Sequence, residues 1–573
     1  MIAQDSWKIS FFLCLSLIGF SPNAHAQMLT PEENREFRGE VDAARVGESI
    51  SPRPFMSPPT IIPPCEIEVI HEGKLSHEAA KLKFHLKKLH VQHPVVFTEQ
   101  ELIRPYRHYL NTTITLGKLQ AIADEMTARY QAEGYFLTQV ILPAQHIRGG
   151  EAVFQVVTGH IDRVEVAGHF TPQMRELLCR YLEHVKCEHP PSMHTLERYA
   201  LLANDVPGLK VRVILSPSKH KAGATDVTFV AFQKQWAPYL SMNNYGTQFL
   251  GTLQYIAGVD VFSAIRTGDD TNLQYVTSGD SRLNFLQVKH SEILNDDGLR
   301  MALAARVTRV RPGSFLEQFD TVGFNQSYGM NFAYPYIRSR SENLFLHGGI
   351  FAINSNTDLL KTNIYSDRIR EVYAGFTYNN LDAWRGINQV EGDIGQGLNI
   401  FDASGRTHIS RFNGNPVYTK LKGGYSRLQG LCWDFSFLFA VKGQFTNAPL
   451  LAAAQFGFGG VEFGRGYDPS EITGDRGLAG TLELRYDFCS DSWVVQNMQY
   501  YLFYDAGEVW NVHAHDTLTF AHLSATSMGA GVRIQAVNDY VNANFFIAKP
   551  LTFTSINVPH KKIRAFFSIT VAF

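Results

Sequence analysis

The chain has 573 residues and a formal net charge of −2; only 18% of its residues are charged, 12% are aromatic and 45 are glycine. That length exceeds one ordinary domain. The balanced charge, without a basic tract, removes nucleic acid from the expected partners. After the leader no run approaches the length of an apolar membrane helix, which excludes a helical bundle.

Residues 1–26 read as a secretory signal peptide. Lys8 precedes an apolar run over 9–20, and Ala24-His25-Ala26 supplies a small-residue cleavage site before Gln27. The run is too short to span a bilayer as a helix. Within 27–50, a helix is expected over 30–49. Thr30 and Glu33 form a capping box, and Pro31 takes the first helical position. Glu32, Arg35, Glu36, Arg38, Glu40, Asp42 and Arg45 leave it only Phe37, Val41 and Ala44 to bury, so it suits a wet cavity. It is expected to plug a pore. Residues 51–64 hold six prolines and form a semi-rigid linker.

Residues 65–158 and 159–235 repeat one α/β plan. In the first copy Ile67 and Val69 point to a strand turning at Gly73. Helices follow near 98–109 and 115–133, then strands over 136–142 and 152–157. The second of those helices carries Leu119, Ile122, Met126 and Tyr130 on one stripe and stops at Gly134. The second copy reads as a strand over 161–166, helices near 172–185 and 193–204, and strands over 210–215 and 226–232. Strand, two helices and two strands is the order of a POTRA domain, a module that binds extended polypeptide along a sheet edge. Two generic α/β domains would share that order.

From Trp236 to Phe573 the pattern is strands and turns. The last segment is clearest: Ile563, Ala565, Phe567, Ile569, Val571 and Phe573 share one face, and Arg564, Ser568 and Thr570 the other. Sixteen such segments begin near 237, 250, 270, 282, 298, 319, 343, 369, 386, 417, 433, 478, 494, 524, 540 and 563. Over the second half, long links at 357–368, 401–416, 446–477, 507–523 and 550–562 alternate with short ones at 384–385, 428–432, 489–493 and 537–539. Short periplasmic turns and long external loops produce that asymmetry, and it puts both termini on the periplasmic side. The fold class is a transmembrane β-barrel of about 16 antiparallel strands behind two α/β domains.

Motifs in this region have a family likeness. Gly459-Gly460, Arg465-Gly466-Tyr467 and Gly474-Asp475-Arg476-Gly477 resemble the loop-six signature of two-partner-secretion transporters, the TpsB family of hemolysin and hemagglutinin exporters. Phe503-Tyr504-Asp505-Ala506-Gly507 resembles that family's F-x-D-x-G strand, with Asp505 and Gly507 at its fixed positions. Pro64-Cys65, Gly134-Tyr135, residues 142–145 and Val157-Thr158-Gly159 resemble its first POTRA domain. Gly464 stands where the family usually has an aliphatic residue, and Cys65 lacks the second cysteine that relatives often carry in that domain.

The resemblance implies an outer-membrane pore, with POTRA domains in the periplasm, that exports a large secreted TpsA-like partner captured unfolded. It also implies a helical plug, outer-membrane lipids around the barrel and the barrel assembly machinery as a partner in biogenesis. Three other readings compete. An assembly factor shares the loop and the terminal strand, but two POTRA domains with a capped helix and proline linker favour export. A passive porin needs no 200-residue arm, and a plugged receptor needs a longer barrel. An enzyme would need a nucleophile in a recognisable context, which the Ser, His and Asp residues do not provide. No cofactor is expected. The group Cys179, His184, Cys187 and His189 reads as helix-end residues rather than a zinc site.

Alternation along the strand from Val494 sends Asn497, Gln499 and Asp505 to the lumen. Arg465 is therefore expected to meet Asp505 inside the pore if its loop folds inward, its planar fork suiting a carboxylate. The resemblance implies the same contact. Phe573 is the expected terminal barrel signal. Cys432 and Cys489, in neighbouring turns of an oxidising compartment, form a disulfide or remain two unpaired thiols.

Overall fold

The computed structural model describes residues 42–50 and 79–573, except 148, 222, 406–407, 412, 491, 493, 513–519, 539 and 553–561. The signal peptide, residues 27–41 and the proline linker lie outside the described residues, as does the strand expected at Ile67 and Val69.

The first α/β unit pairs β1 (Lys83–Leu86) with β3 (Thr112–Thr115). Its main sheet has the order β2-β5-β4, built from β2 (Lys88–Gln92), β4 (Thr138–Ile141) and β5 (Glu151–Thr158). A short helix α2 (Glu99–Ile103) and the longer α3 (Leu116–Ala132) cover it. The stripe Leu119, Ile122, Met126 and Tyr130 is buried against the sheet as its spacing requires. Among the described residues the first strand of this sheet is β2, at residues the sequence reading left unassigned. Leu89 and Val91 point inward there, between exposed Lys88, His90 and Gln92.

The second unit repeats the plan. Its sheet has the order β6-β8-β7, from β6 (His160–His169), β7 (Leu209–Pro217) and β8 (Ala224–Gln233), under α4 (Pro172–Cys187) and α5 (Met193–Asn204). In both units the first strand runs parallel to the last, β2 to β5 and β6 to β8. Thr171 and Ser192 cap the two helices, each accepting a hydrogen bond from the third residue on.

Sixteen antiparallel strands then close a barrel. The first eight are β9 (Trp236–Asn243), β10 (Gln254–Phe262), β11 (Asp270–Ser278), β12 (Leu283–Ile293), β13 (Arg300–Val310), β14 (Val322–Arg338), β15 (Glu342–Leu359) and β16 (Thr362–Leu381). β17 (Gly386–Gly397), β18 (Thr419–Gly430) and β19 (Phe435–Thr446) follow. A long loop carries the small hairpin β20 (Phe456–Phe458) and β21 (Ile472–Gly474). β22 (Arg476–Cys489), β23 (Val495–Trp510), β24 (His522–Ala536), β25 (Val541–Pro550) and β26 (Arg564–Ala572) complete the wall, and β26 pairs with β9. β23 shows how alternation builds it: Tyr500, Leu502 and Tyr504 face outward and exposed, while Tyr501, Phe503 and Asp505 are buried inside.

One link departs from the expected loop pattern. The long connection placed at 357–368 is a two-residue turn at Leu360 and Lys361, both with positive φ, as the tightest hairpins require. Its polar residues Asp358, Lys361, Asn363, Ser366 and Arg368 make these strand ends look like a loop. The strands continue because their inward residues pack on the helix α1 (Ala43–Ile50) inside the barrel; Ala44 touches a cluster with Ile353 and Ile369.

α1 packs against β13, β14 and β15. The residues of α1 are less polar than the sequence of 30–42 before them. Ala43, Ala44, Val46 and Gly47 are buried, so a close apolar fit holds them against the wall, where the composition of 30–49 pointed to a wet cavity. At the rim nearest the termini, the second α/β unit is bolted to the barrel. Arg338 grips Asp205 through two bonds of 2.7 and 2.8 Å, Arg300 donates to the Asp205 carbonyl at 2.7 Å, and Arg198 donates to the Pro335 carbonyl at 3.1 Å.

Candidate functional site

The loop 447–475 between β19 and β22 folds into the lumen instead of outward. Its turns need backbone that most residues resist. Gly464 has φ +84°, and a Cβ there would lie 2.7 Å from the Phe458 ring. The aliphatic residue usual at this position therefore has no room. Gly507 lets the same ring lie flat on β23, since a Cβ there would come within 2.1 Å of it. Phe458 is fully buried in this contact.

The loop delivers Arg465 to the wall. Its Nε donates to Asp505 Oδ2 at 3.0 Å and its Nη2 to Asp505 Oδ1 at 2.8 Å, the forked geometry a carboxylate accepts best. Nη1 reaches Glu483 Oε2 at 2.5 Å, and Nη2 also donates to Thr481 Oγ1 at 2.7 Å. The guanidinium carbon stands 3.6 Å above the centre of the Phe503 ring. Backbone amides of Gly464 and Arg465 donate to Asp505 Oδ2 as well, at 3.2 and 2.9 Å. Arg465 is 6% exposed and Asp505 not at all. Burial alone would depress the Arg465 pKa, but the bonds and charges of Asp505 and Glu483 outweigh it and raise the value. Glu483 also binds Arg485 at 2.7 Å and Arg533 at 2.8 Å.

The next two motif residues tie the loop to later strands. Gly466 N donates to Ser527 Oγ at 3.2 Å. Tyr467 OH donates to the Thr526 carbonyl at 2.8 Å, and burial raises its pKa. Asp468 binds Arg564, at the head of the last strand, at 2.5 Å. One loop thus spans β22 to β26. Phe573 ends the chain at the barrel seam, its amide donating to the Pro238 carbonyl at 3.0 Å and its ring largely exposed.

The same loop holds α1. Arg45 Nη1 donates to the carbonyls of Ala452 and Gln455 at 2.7 and 3.1 Å, and Nη2 to Ser470 Oγ at 3.2 Å. Its buried Nε has no partner. Asp42 caps the helix by accepting from Ala44 N and Arg45 N, and its other oxygen accepts from Tyr365 OH at 2.8 Å. Burial raises the Asp42 pKa and lowers that of Arg45.

Two expectations need correction or extension. Cys432 and Cys489 are free and exposed. The β19–β22 ladder begins at Phe435 and Tyr486, and the chain before Asp434 turns back into β18, with positive φ at Trp433 and Asp434. The ladder thus ends three residues short of both cysteines, and in this structure the two thiols stay unpaired. Cys179 and Cys187 are also free and exposed, and no group of three or more metal-binding side chains occurs among the described residues. The sequence reading also missed Glu483, Thr481 and Arg45. Alternation along β22 would have found the first two, because Thr481 pairs directly with Asp505.

The loop pinned inside a barrel of sixteen strands behind two such α/β units matches one group of proteins. Residues 305–534 match the model of the haemolysin secretion/activation proteins ShlB/FhaC/HecB, and residues 84–159 match the POTRA domain of ShlB type. Together these cover more than half of the chain. The chain belongs to the two-partner-secretion transporter family. Among curated relatives, the heme/hemopexin transporter protein HuxB of Haemophilus influenzae is 22% identical over 79% of this chain and 80% of its own length. The outer membrane transporter CdiB of Dickeya dadantii is 18% identical over 95% and 96%. Among solved structures, CdiB from Escherichia coli shares the fold with a TM-score of 0.71 at 17% identity, covering 97% of this chain and all of that one. CdiB from Acinetobacter baumannii does so with a TM-score of 0.63. As a two-partner-secretion transporter, the chain places its barrel in the outer membrane and its POTRA domains in the periplasm, and it exports a secreted partner protein.

Proposed function

We propose that the POTRA domains capture the partner unfolded in the periplasm, that α1 closes the pore at rest and leaves during export, and that Arg465 keeps the loop fixed to the wall throughout. The observation that carries this reading is the position of α1: it lies in the lumen against β13 to β15, yet is fastened to the loop through carbonyl and hydroxyl oxygens rather than carboxylates. The pore then opens by losing the helix, while Arg465, Gly466 and Tyr467 preserve its shape. Cargo folding outside supplies direction without a nucleotide, and the barrel assembly machinery and outer-membrane lipids act only in biogenesis and anchoring. In a deletion strain, the secreted partner protein should accumulate in the periplasm. Unchanged secretion would contradict the reading.

A further inference from the structure

Charge lines much of the lumen, as at Lys420 with Glu371, Lys442 with Glu462 and the cluster around Glu483. One sector differs. At the periplasmic ends of β23 to β26, the wall forms a cavity of about 300 Å³ lined by Asn497, Gln499, Gln535, Asn542, Asn544 and Ser568. Thr570 and Ser241 continue the row onto β9, joined by a 2.8 Å hydrogen bond across the seam. Arg533, tied to Glu483 and Gln499, marks its upper limit.

Gln499 accepts from Arg533 and donates to Asp487, and Asn544 accepts from Tyr501 OH, so the free capacity in this row is at Asn497. Asn497 Oδ1 is buried without a hydrogen-bond partner, and its amide reaches Gln535 only at 3.4 Å. Each primary amide offers two donors and an acceptor oxygen, the complement of a peptide group, and makes no demand on side-chain sequence.

We propose that this amide- and hydroxyl-lined sector is a binding track for the backbone of an extended, unfolded polypeptide entering from the periplasm. The proposal rests on the export reading and names the surface that first receives the cargo inside the barrel. The test places a photo-crosslinking benzophenone residue at Asn542 or, on the inward face of β17, at Gln389 of the full chain in vesicles. The probe is an uncharged Gly/Ser/Asn peptide of about twenty residues, long enough when extended to cross the barrel.

Adduct at position 542 should exceed that at 389 about tenfold, equivalent to ~1.4 kcal/mol of preference. Asn544→Leu with Ser568→Val should remove most of that excess while the barrel still shows heat-resistant migration on gels. If that pair fails to fold, Asn544→Leu alone should lower the excess. Equal labelling at both positions, or undiminished labelling in a folded variant, would overturn the track. Because the peptide assay does not depend on the natural partner, that result leaves export standing. Unchanged secretion in the deletion strain would instead remove the reading beneath the proposal.

Discussion

Two segments fill the lumen, and their arginines are held in opposite ways. Arg465 meets two buried carboxylates, and every nitrogen of its fork is bonded. Arg45 meets two carbonyls and a hydroxyl, keeps a buried Nε without a partner, and has no carboxylate bonded to its guanidinium among the described residues. Separating the first pair would strand opposite charges in a dry site. Releasing the second returns one poorly compensated cation to water. On the proposed reading, one pore then has a fixed part and a moving part.

Breaking the fixed part should cost most. Arg465→Ala should nearly abolish secretion while leaving a heat-resistant barrel, since an unpaired buried partner costs about 3–5 kcal/mol. Asp505→Ala should behave alike, and the double variant should lose little more than either single one; additive losses would show that the two residues act separately. Gly464→Ala sharpens the point without touching a charge. The left-handed backbone and the Phe458 contact should cost about 1–3 kcal/mol, read as a lower unfolding temperature with weaker secretion.

Breaking the moving part should be milder. Arg45→Ala should raise the open probability in planar bilayers roughly tenfold, a shift of about 1.4 kcal/mol, with the barrel intact. Smallest is the pH effect. Burial raises the Asp42 pKa in the docked helix, whereas in water the carboxyl returns to about 3.9. The docked form therefore binds the proton more tightly; docking is strongest below about pH 4 and weakens as pH rises through the raised value. Open probability should fall on acidification, and Asp42→Asn should flatten that dependence.

Much of this was legible because alternation is a local signal. The period of two placed Asp505 inward from β23 alone, and the glycines at 459, 460, 464 and 466 pointed to a loop able to bend. Where an inward face packs on something distant in sequence, the pattern failed. Residues 357–368 looked like a loop because the helix that keeps β15 and β16 extended lies some 300 residues earlier. β2 was hidden by its exposed lysine and histidine. The cysteines were left open between a bridge and two thiols; the ladder that would align Cys432 with Cys489 stops at Phe435 and Tyr486, and the thiols stay apart. Arg45 belonged to a segment read as uniformly wet, and nothing local to it marks Ala452 or Ser470 as its partners.

The proposed export route requires α1 to leave, and one pair of positions tests that directly. A Cβ built on Gly47 would stand 3.8 Å from Thr308 Cβ, the separation typical of a disulfide, and the only closer atom is the Thr308 hydroxyl that the substitution removes. In the Gly47→Cys, Thr308→Cys variant, the oxidised pore should secrete almost no partner protein, and reductant should restore secretion to the level of the parent. Normal secretion with the bond shown to be closed would contradict the moving helix.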